Sequence, residues 1–321
     1  MTSRTTKLAY EVVKSWDKLP NGWSYVEAAG VATDSQDRVY VFNRGEHPVI
    51  VYDRSGKFLT SWGEGLFNNP HGITIGPDDA VYLTDNYAHV THKFTTEGKL
   101  LMTLGVKDKP SDTGFTEESQ TVKKAAGPFN RQTNIALSAA GDIYVADGYR
   151  NARVHRFSAA GKLLASWGEP GAGPGQFNLP HGIAVDRRGR VYVADRENLR
   201  IQVFTGDGQY LNEWRDVNRP TDLYIDRDDN LFVAELGLHG VKATEGQSPL
   251  ARVSVFGLDG TLRARWGGAE SCAPGNFQAP HGIWADSHGD VYVAEVIMSM
   301  GGRRGLVPTD CHTIQKFARR G

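Results

Sequence analysis

Short apolar runs rich in β-branched and aromatic residues, separated by Gly and Asp positions, follow one another along this chain. The clearest unit runs from Phe177 to Trp214. It holds an aromatic residue, Pro-His-Gly-Ile, an Asp-x-x-Gly turn, Val-Tyr-Val-Ala-Asp, Ile-Gln-Val-Phe, a second Gly turn and a run ending in Trp. Val191 to Ala194, Ile201 to Phe204 and Tyr210 to Trp214 have the period and composition of strands, and the Gly and Asp positions between them suit hairpin turns. Aligned on its first strand, the unit starts again near Val31, Ile73, Ile135, Ile183, Leu223 and Ile283. Its second strand recurs as Val39 to Phe42, Val81 to Thr84, Ile143 to Ala146, Val191 to Ala194, Leu231 to Ala234 and Val291 to Ala294. Six such copies predict an all-β chain folded as a six-bladed β-propeller.

The sixth copy stops after its third strand, Thr313 to Phe317, and Leu8 to Trp16 can supply the missing outer strand. Pairing the two ends of the chain closes the ring and removes an open edge. Residues 1–321 then form one domain, with 1–24 as the segment that supplies the closing strand. Extra loops lie between Gly105 and Phe129, Gly237 and Leu250, and Met298 and Cys311. Trp62, Trp167 and Trp266 end outer strands and are expected to pack between blades.

Composition narrows the partners. A formal net charge of -1 gives no support to nucleic acid or an anionic membrane surface. No apolar run approaches the ~20 residues of a membrane span, and Met1 to Trp16 holds no apolar signal core. Cys272 and Cys311 both belong to the sixth copy and can approach each other, but the expected state is two free thiols in a cytoplasmic protein. Gly171 to Gly175 lacks the Lys that a phosphate loop needs and falls where turns between blades are required.

One position carries candidate chemistry. Four residues after Phe67, Phe129, Phe177 and Phe277 stand His71, Thr133, His181 and His281, and the same register in the other two copies gives Ala29 and Thr221. Around the ring this reads Ala, His, Thr, His, Thr, His. The innermost strand of each blade lines the central channel, so the three imidazoles on alternate blades are expected to meet at one mouth of it. Three histidines with an open fourth position suit zinc, though another divalent ion is possible. His47, His89, His92, His155, His239, His288 and His312 share no such position and read as surface or structural residues; of these, His89 lies in a loop that follows a second strand.

Second strands end on the face where first strands begin, so Asn43-Arg44, Asp85-Asn86, Asp147-Gly148-Tyr149, Asp195-Arg196, Glu235 and Glu295 are expected to surround the metal. Arg44 and Arg196 occupy the same place in their repeats and suit bidentate binding of a substrate carboxylate, unless they only pair with acidic neighbours such as Asp195 or Glu197. Tyr149 beside a metal ion can serve as a general base, because a nearby positive charge favours the phenolate.

These segments resemble a known family. The repeats are of NHL type, and Val41-Phe42-Asn43-Arg44-Gly45, Pro70-His71-Gly72-Ile73, Ala146-Asp147-Gly148-Tyr149, Pro180-His181-Gly182-Ile183, Ala194-Asp195-Arg196-Glu197-Asn198 and Pro280-His281-Gly282-Ile283 are similar to those of the peptidyl-α-hydroxyglycine α-amidating lyases. The resemblance runs in order through nearly the whole chain. It implies zinc on His71, His181 and His281, Tyr149 as base, and Arg44 and Arg196 acting on the substrate carboxylate and hydroxyl. The implied reaction splits an N-substituted α-hydroxyglycine, or a related small carbinolamide such as ureidoglycolate, into an amide and glyoxylate. The family also holds a structural calcium through carbonyls at the positions of Val31 and Ile73 and an Asp after the third histidine. Gly282 stands there, which removes the carboxylate. A family disulfide after the tyrosine is absent because Arg150 replaces its Cys. The loops from Leu236 to Leu250 and Ile297 to Cys311 are expected on the same rim, narrowing the pocket for a small substrate. A zinc hydrolase and a non-catalytic NHL interaction module are the alternatives.

Overall fold

Six four-stranded antiparallel sheets follow one another in chain order. They are seen in a computed structural model that describes residues 8–238, 250–268, 271–305 and 307–320. Their innermost strands are Ala28–Thr33, Pro70–Ile75, Gln132–Leu137, Pro180–Val185, Pro220–Ile225 and Pro280–Ala285. Each touches the next, and the last touches the first, so the sheets form the six blades of a closed propeller. Apart from their ends, the inner and second strands are buried on both faces. That explains why they read as near-continuous apolar runs rather than strict alternation.

The two ends of the chain close the ring. Ala9–Val13 pairs antiparallel with Ile314–Arg320 in blade six, Ala9 opposite Arg320 and Val13 opposite Lys316. Tyr10 also stacks on Trp266 of blade five, with ring centres 4.6 Å apart, and meets Phe232 edge-on. Removing that ring from a partly buried site is expected to cost about 2 kcal/mol. Chemical denaturation of Tyr10→Ala should therefore show a midpoint well below that of the wild type, and an unchanged midpoint would mean that the closing strand contributes little.

The expected roles of the tryptophans are met by contact between blades. A Cβ added at Gly98 of blade two would come within 2.8 Å of Trp62 of blade one, and one at Gly208 within 2.5 Å of Trp167. Both glycines also have positive φ, so the hairpins that cover these rings depend on glycine. Three of the turns between first and second strands are fastened in a common way. Asp34, Asp186 and Asp286 each accept a bond from a tyrosine hydroxyl of the following strand, from Tyr40, Tyr192 and Tyr292.

One expectation is overturned. Cys272 and Cys311 form a disulfide, with Cα atoms 5.1 Å apart, rather than standing as free thiols. They are 39 residues apart in sequence, but the loops before the first and third strands of blade six lie side by side and bring them within bonding range. The cytoplasmic expectation loses the support that two free thiols lent it. No helix among the described residues is long and apolar enough to cross a membrane.

Candidate metal centre and the cavity above it

His71, His181 and His281 are each the second residue of an innermost strand, and all are buried. Their ring centres lie 4.6 to 4.9 Å apart, and one ligand atom from each falls within 4.8 Å of the others. The intervening blades hold them there. His71 Nδ1 donates to the carbonyl of Thr133 at 2.7 Å, His181 Nδ1 to Thr221 at 2.6 Å and His281 Nδ1 to Ala29 at 2.6 Å. These acceptors are the residues that take the histidine's place on blades three, five and one. The ladder slips by one residue at each of them, which frees the carbonyl from sheet pairing.

The proline before each histidine is anchored too. Thr133 Oγ1 lies 3.1 Å from Pro180 O and Thr221 Oγ1 2.9 Å from Pro280 O. Blade one has Ala29, with no hydroxyl, and there Arg44 Nε donates to Pro70 O at 2.9 Å.

This pattern fixes the tautomer. With Nδ1 donating to a carbonyl, each neutral ring turns an Nε2 lone pair towards the others. Burial holds all three histidines below the usual imidazole range, His281 at about 3; His281 adds to this at His71 and His181, Arg44 at His71 and His281, and Arg196 at all three. Three converging lone pairs on neutral rings need a cation or a proton donor between them. The trio can therefore hold a metal ion, and the carbonyl partners are of the kind that orients metal-bound histidine.

Tyr149 reaches the same spot from blade three, its hydroxyl 3.1 Å from His71 Nε2 and 3.3 Å from His181 Nε2. Gly148 makes this approach possible, since a Cβ there would lie 1.9 Å from Pro180 O. The Arg196 guanidinium carbon sits 5.5 Å from the centre of the Tyr149 ring. Tyr149, His281, Arg44, Arg196, Ser299 and Arg131 are among the residues lining a cavity of about 160 Å³. Leu236, Ser299, Met300 and Arg303 bring parts of both expected loops to this rim; residues 239–249, including His239, lie outside the described residues.

Both expected arginines have acidic partners. Arg44 Nη1 bonds Glu27 at 2.8 Å and Ser299 Oγ at 3.0 Å, and Arg196 Nε bonds Glu197 at 2.8 Å. Neither terminal nitrogen of Arg196 has a hydrogen-bond partner among the described residues. The rim acids do not surround the histidines as expected. Asp85, Asp147, Asp195, Glu235 and Glu295 instead accept bonds from backbone N–H groups of Asn68, Asn130, Asn178, Asn218 and Gln278, stapling each second strand to the segment that enters the blade. Asn43 likewise bonds Val26 N and His47 O. His89 accepts from Arg131 N, and His155 sits between Asp147 and Ser166, so both are structural.

The residues after the histidine layer read Gly30, Gly72, Asn134, Gly182, Asp222 and Gly282. The two side chains of this layer span the channel. Asp222 Oδ1 accepts from Asn134 Nδ2 at 2.5 Å and Leu223 N at 2.8 Å, and Oδ2 accepts from Ile283 N at 3.0 Å. Burial pushes the Asp222 carboxyl up to about 7. Facing three N–H donors and accompanied by Gly282 rather than a second carboxylate, this donor set does not fit a calcium ion.

Asp222 instead ties together the strands that carry the acceptors of His71 and His181 and His281 itself. Sequence reasoning missed it, although the break from Gly at that register was a visible signal. Asp222→Ala leaves three buried donors unpaired. It is expected to cost about 3 kcal/mol and to weaken metal binding about tenfold or more, measured by denaturation and by competition with a chelator; unchanged metal affinity would show that the brace does not position the histidines. The wider cavity at the opposite mouth, about 420 Å³, is lined by the far ends of the inner strands, away from the histidines.

Comparison with known proteins agrees with the ring. The NHL repeat model matches residues 177–204. The chain is 31% identical over 288 residues to mouse NHL repeat-containing protein 3, covering 83% of this chain and 76% of that protein. It is 30% identical over 268 residues to peptidyl-α-hydroxyglycine α-amidating lyase 1 of Drosophila melanogaster, covering 75% of this chain but only 45% of the fly protein. Virginiamycin B lyase from Staphylococcus aureus superposes with a TM-score of 0.58 at 14% identity, over 97% of this chain and 99% of that one, a likeness of fold alone.

Proposed function

This chain belongs to the NHL-repeat family that includes the peptidyl-α-hydroxyglycine α-amidating lyases, and we propose that it is a zinc-dependent lyase. Its substrate is a small N-substituted α-hydroxyglycine, and its products are an amide and glyoxylate. The observation that carries this reading is the trio of neutral, carbonyl-oriented imidazoles with the Tyr149 hydroxyl at their open side.

His71, His181 and His281 would hold the zinc, which would supply Lewis acidity to the reaction. The chain's own groups do the rest. Arg196 offers its two terminal nitrogens to the substrate carboxylate as a planar fork. Arg44, held by Glu27 and Pro70 O, lies where it can orient the hydroxyl. Tyr149, as phenolate, takes the hydroxyl proton while the C–N bond breaks and the C–O bond becomes C=O. The nitrogen leaves with the bonding pair and receives the proton that Tyr149 took, which restores the phenolate, so atoms balance without water. A cavity of about 160 Å³ lies below the ~300 Å³ at the small end of drug-sized sites, which favours a small compound over a peptide end.

The test is to measure bound zinc and glyoxylate release from an N-acyl α-hydroxyglycine in water enriched in oxygen-18. One zinc per chain with unlabelled amide supports the lyase. Label in a carboxylic acid product would make the protein a hydrolase, and absence of metal would leave an interaction module.

A further inference from the structure

Two arginines lining the cavity over the histidines have no counter-ion among the described residues: Arg303, which is exposed to solvent, and Arg131, which is partly buried. Arg44 is balanced by Glu27, and Arg196 by Glu197, which it shares with Arg219. Arg131 also lines the cavity, yet no ion pair reaches it among the described residues, and its Nε is buried with no hydrogen-bond partner. Its guanidinium carbon lies 4.3 Å from the centre of the Tyr87 ring. Stacking of this kind contributes only about 0.5–1 kcal/mol at an open site and uses none of the guanidinium N–H donors.

Arg131 neighbours Tyr149, whose backbone N–H its carbonyl accepts at 3.2 Å, rather than the histidines themselves. Arg44 and Arg196 are the arginines whose charge bears on the three histidines. Arg131 stacks on Tyr87, which lines the same cavity and is 51% exposed, so this part of the cavity opens to solvent. A substrate with its α-carbon over the histidines would send its N-substituent outwards, towards Arg131.

We propose that Arg131 is a specificity-determining residue that pairs with a carboxylate on the N-substituent, so that the preferred substrate is a dianion. This rests on the α-hydroxyglycine reading for the orientation of the ligand. The α-carboxylate belongs to Arg196, and the second anionic group belongs to Arg131.

Unreactive glycine analogues test it on the purified protein with its native metal. N-succinylglycine carries the second carboxylate, and N-succinamoylglycine replaces it with a neutral amide of the same shape. Calorimetry is expected to show the wild type binding the first about tenfold more tightly, a charge-assisted pair being the only difference. Arg131→Gln should bring the two within about twofold, Arg131→Lys should keep part of the preference, and metal content should not change. No preference in the wild type, a preference that survives Arg131→Gln, or equal weakening of both compounds would each overturn the proposal. Glyoxylate release from the matching α-hydroxy compounds is read separately. Release without preference sinks only the Arg131 assignment, whereas an Arg131-dependent preference without release sinks only the lyase.

Discussion

His181→Ala is expected to lose its metal and its glyoxylate release together, with activity down by a thousandfold or more on the order of a catalytic metal's contribution. His181 supplies one of only three ligand atoms that converge, and no other His, Cys, Asp or Glu among the described residues joins the group. Two imidazoles bind a divalent ion far more weakly than three in a preformed site. The fold should survive, because the substitution removes one bond to Thr221 O, about 1 kcal/mol, from a strand otherwise paired along Val191–Asp195. Circular dichroism and metal analysis on the same sample separate the two effects. Wild-type activity in a folded, metal-poor variant would remove the mechanism.

Tyr149→Phe is expected to lower kcat about 10² to 10⁴-fold, the usual contribution of a positioned acid–base group, with bound metal unchanged. The phenylalanine ring can keep its place beside Arg196, so substrate binding should alter little. The split between kcat and metal content is informative. If metal is lost along with rate, the hydroxyl that lies 3.1 and 3.3 Å from two Nε2 atoms is holding the ion rather than moving a proton. If the rate is unchanged, another group is the base.

The ring and the histidine trio were legible because repetition exposes them. Six copies of one strand pattern share a register, and Pro-His-Gly is spelled identically on three of them. Even the closing strand could be read, as a piece missing at one end and spare at the other. What supports the site left a weaker trace. The acceptors of the three Nδ1 atoms are backbone carbonyls, which carry no residue signature, and the slipped ladders that free them appear only in three dimensions.

The rim acids misled for a related reason. Their place in the repeat faces the mouth, but a carboxylate at a strand end finds backbone N–H groups closer than any metal. Arg44 and Glu27 pair across 17 residues, and the disulfide spans 39, with the disulfide made by loops outside the repeating pattern. Asp222 and Asn134 come from blades whose inner strands carry no histidine, and their meeting across the channel follows from a register that has to be assembled before it can be seen.

The central claim is that three imidazoles hold one ion at the channel mouth. X-ray absorption at the zinc edge, on protein purified without added metal, addresses it directly. Expected are one zinc per chain and a first shell of nitrogen and oxygen near 2.0–2.1 Å with outer-shell scattering from three imidazole rings. A spectrum with sulfur at about 2.3 Å, fewer than three imidazoles, or no bound metal at all would overturn the site and the lyase with it.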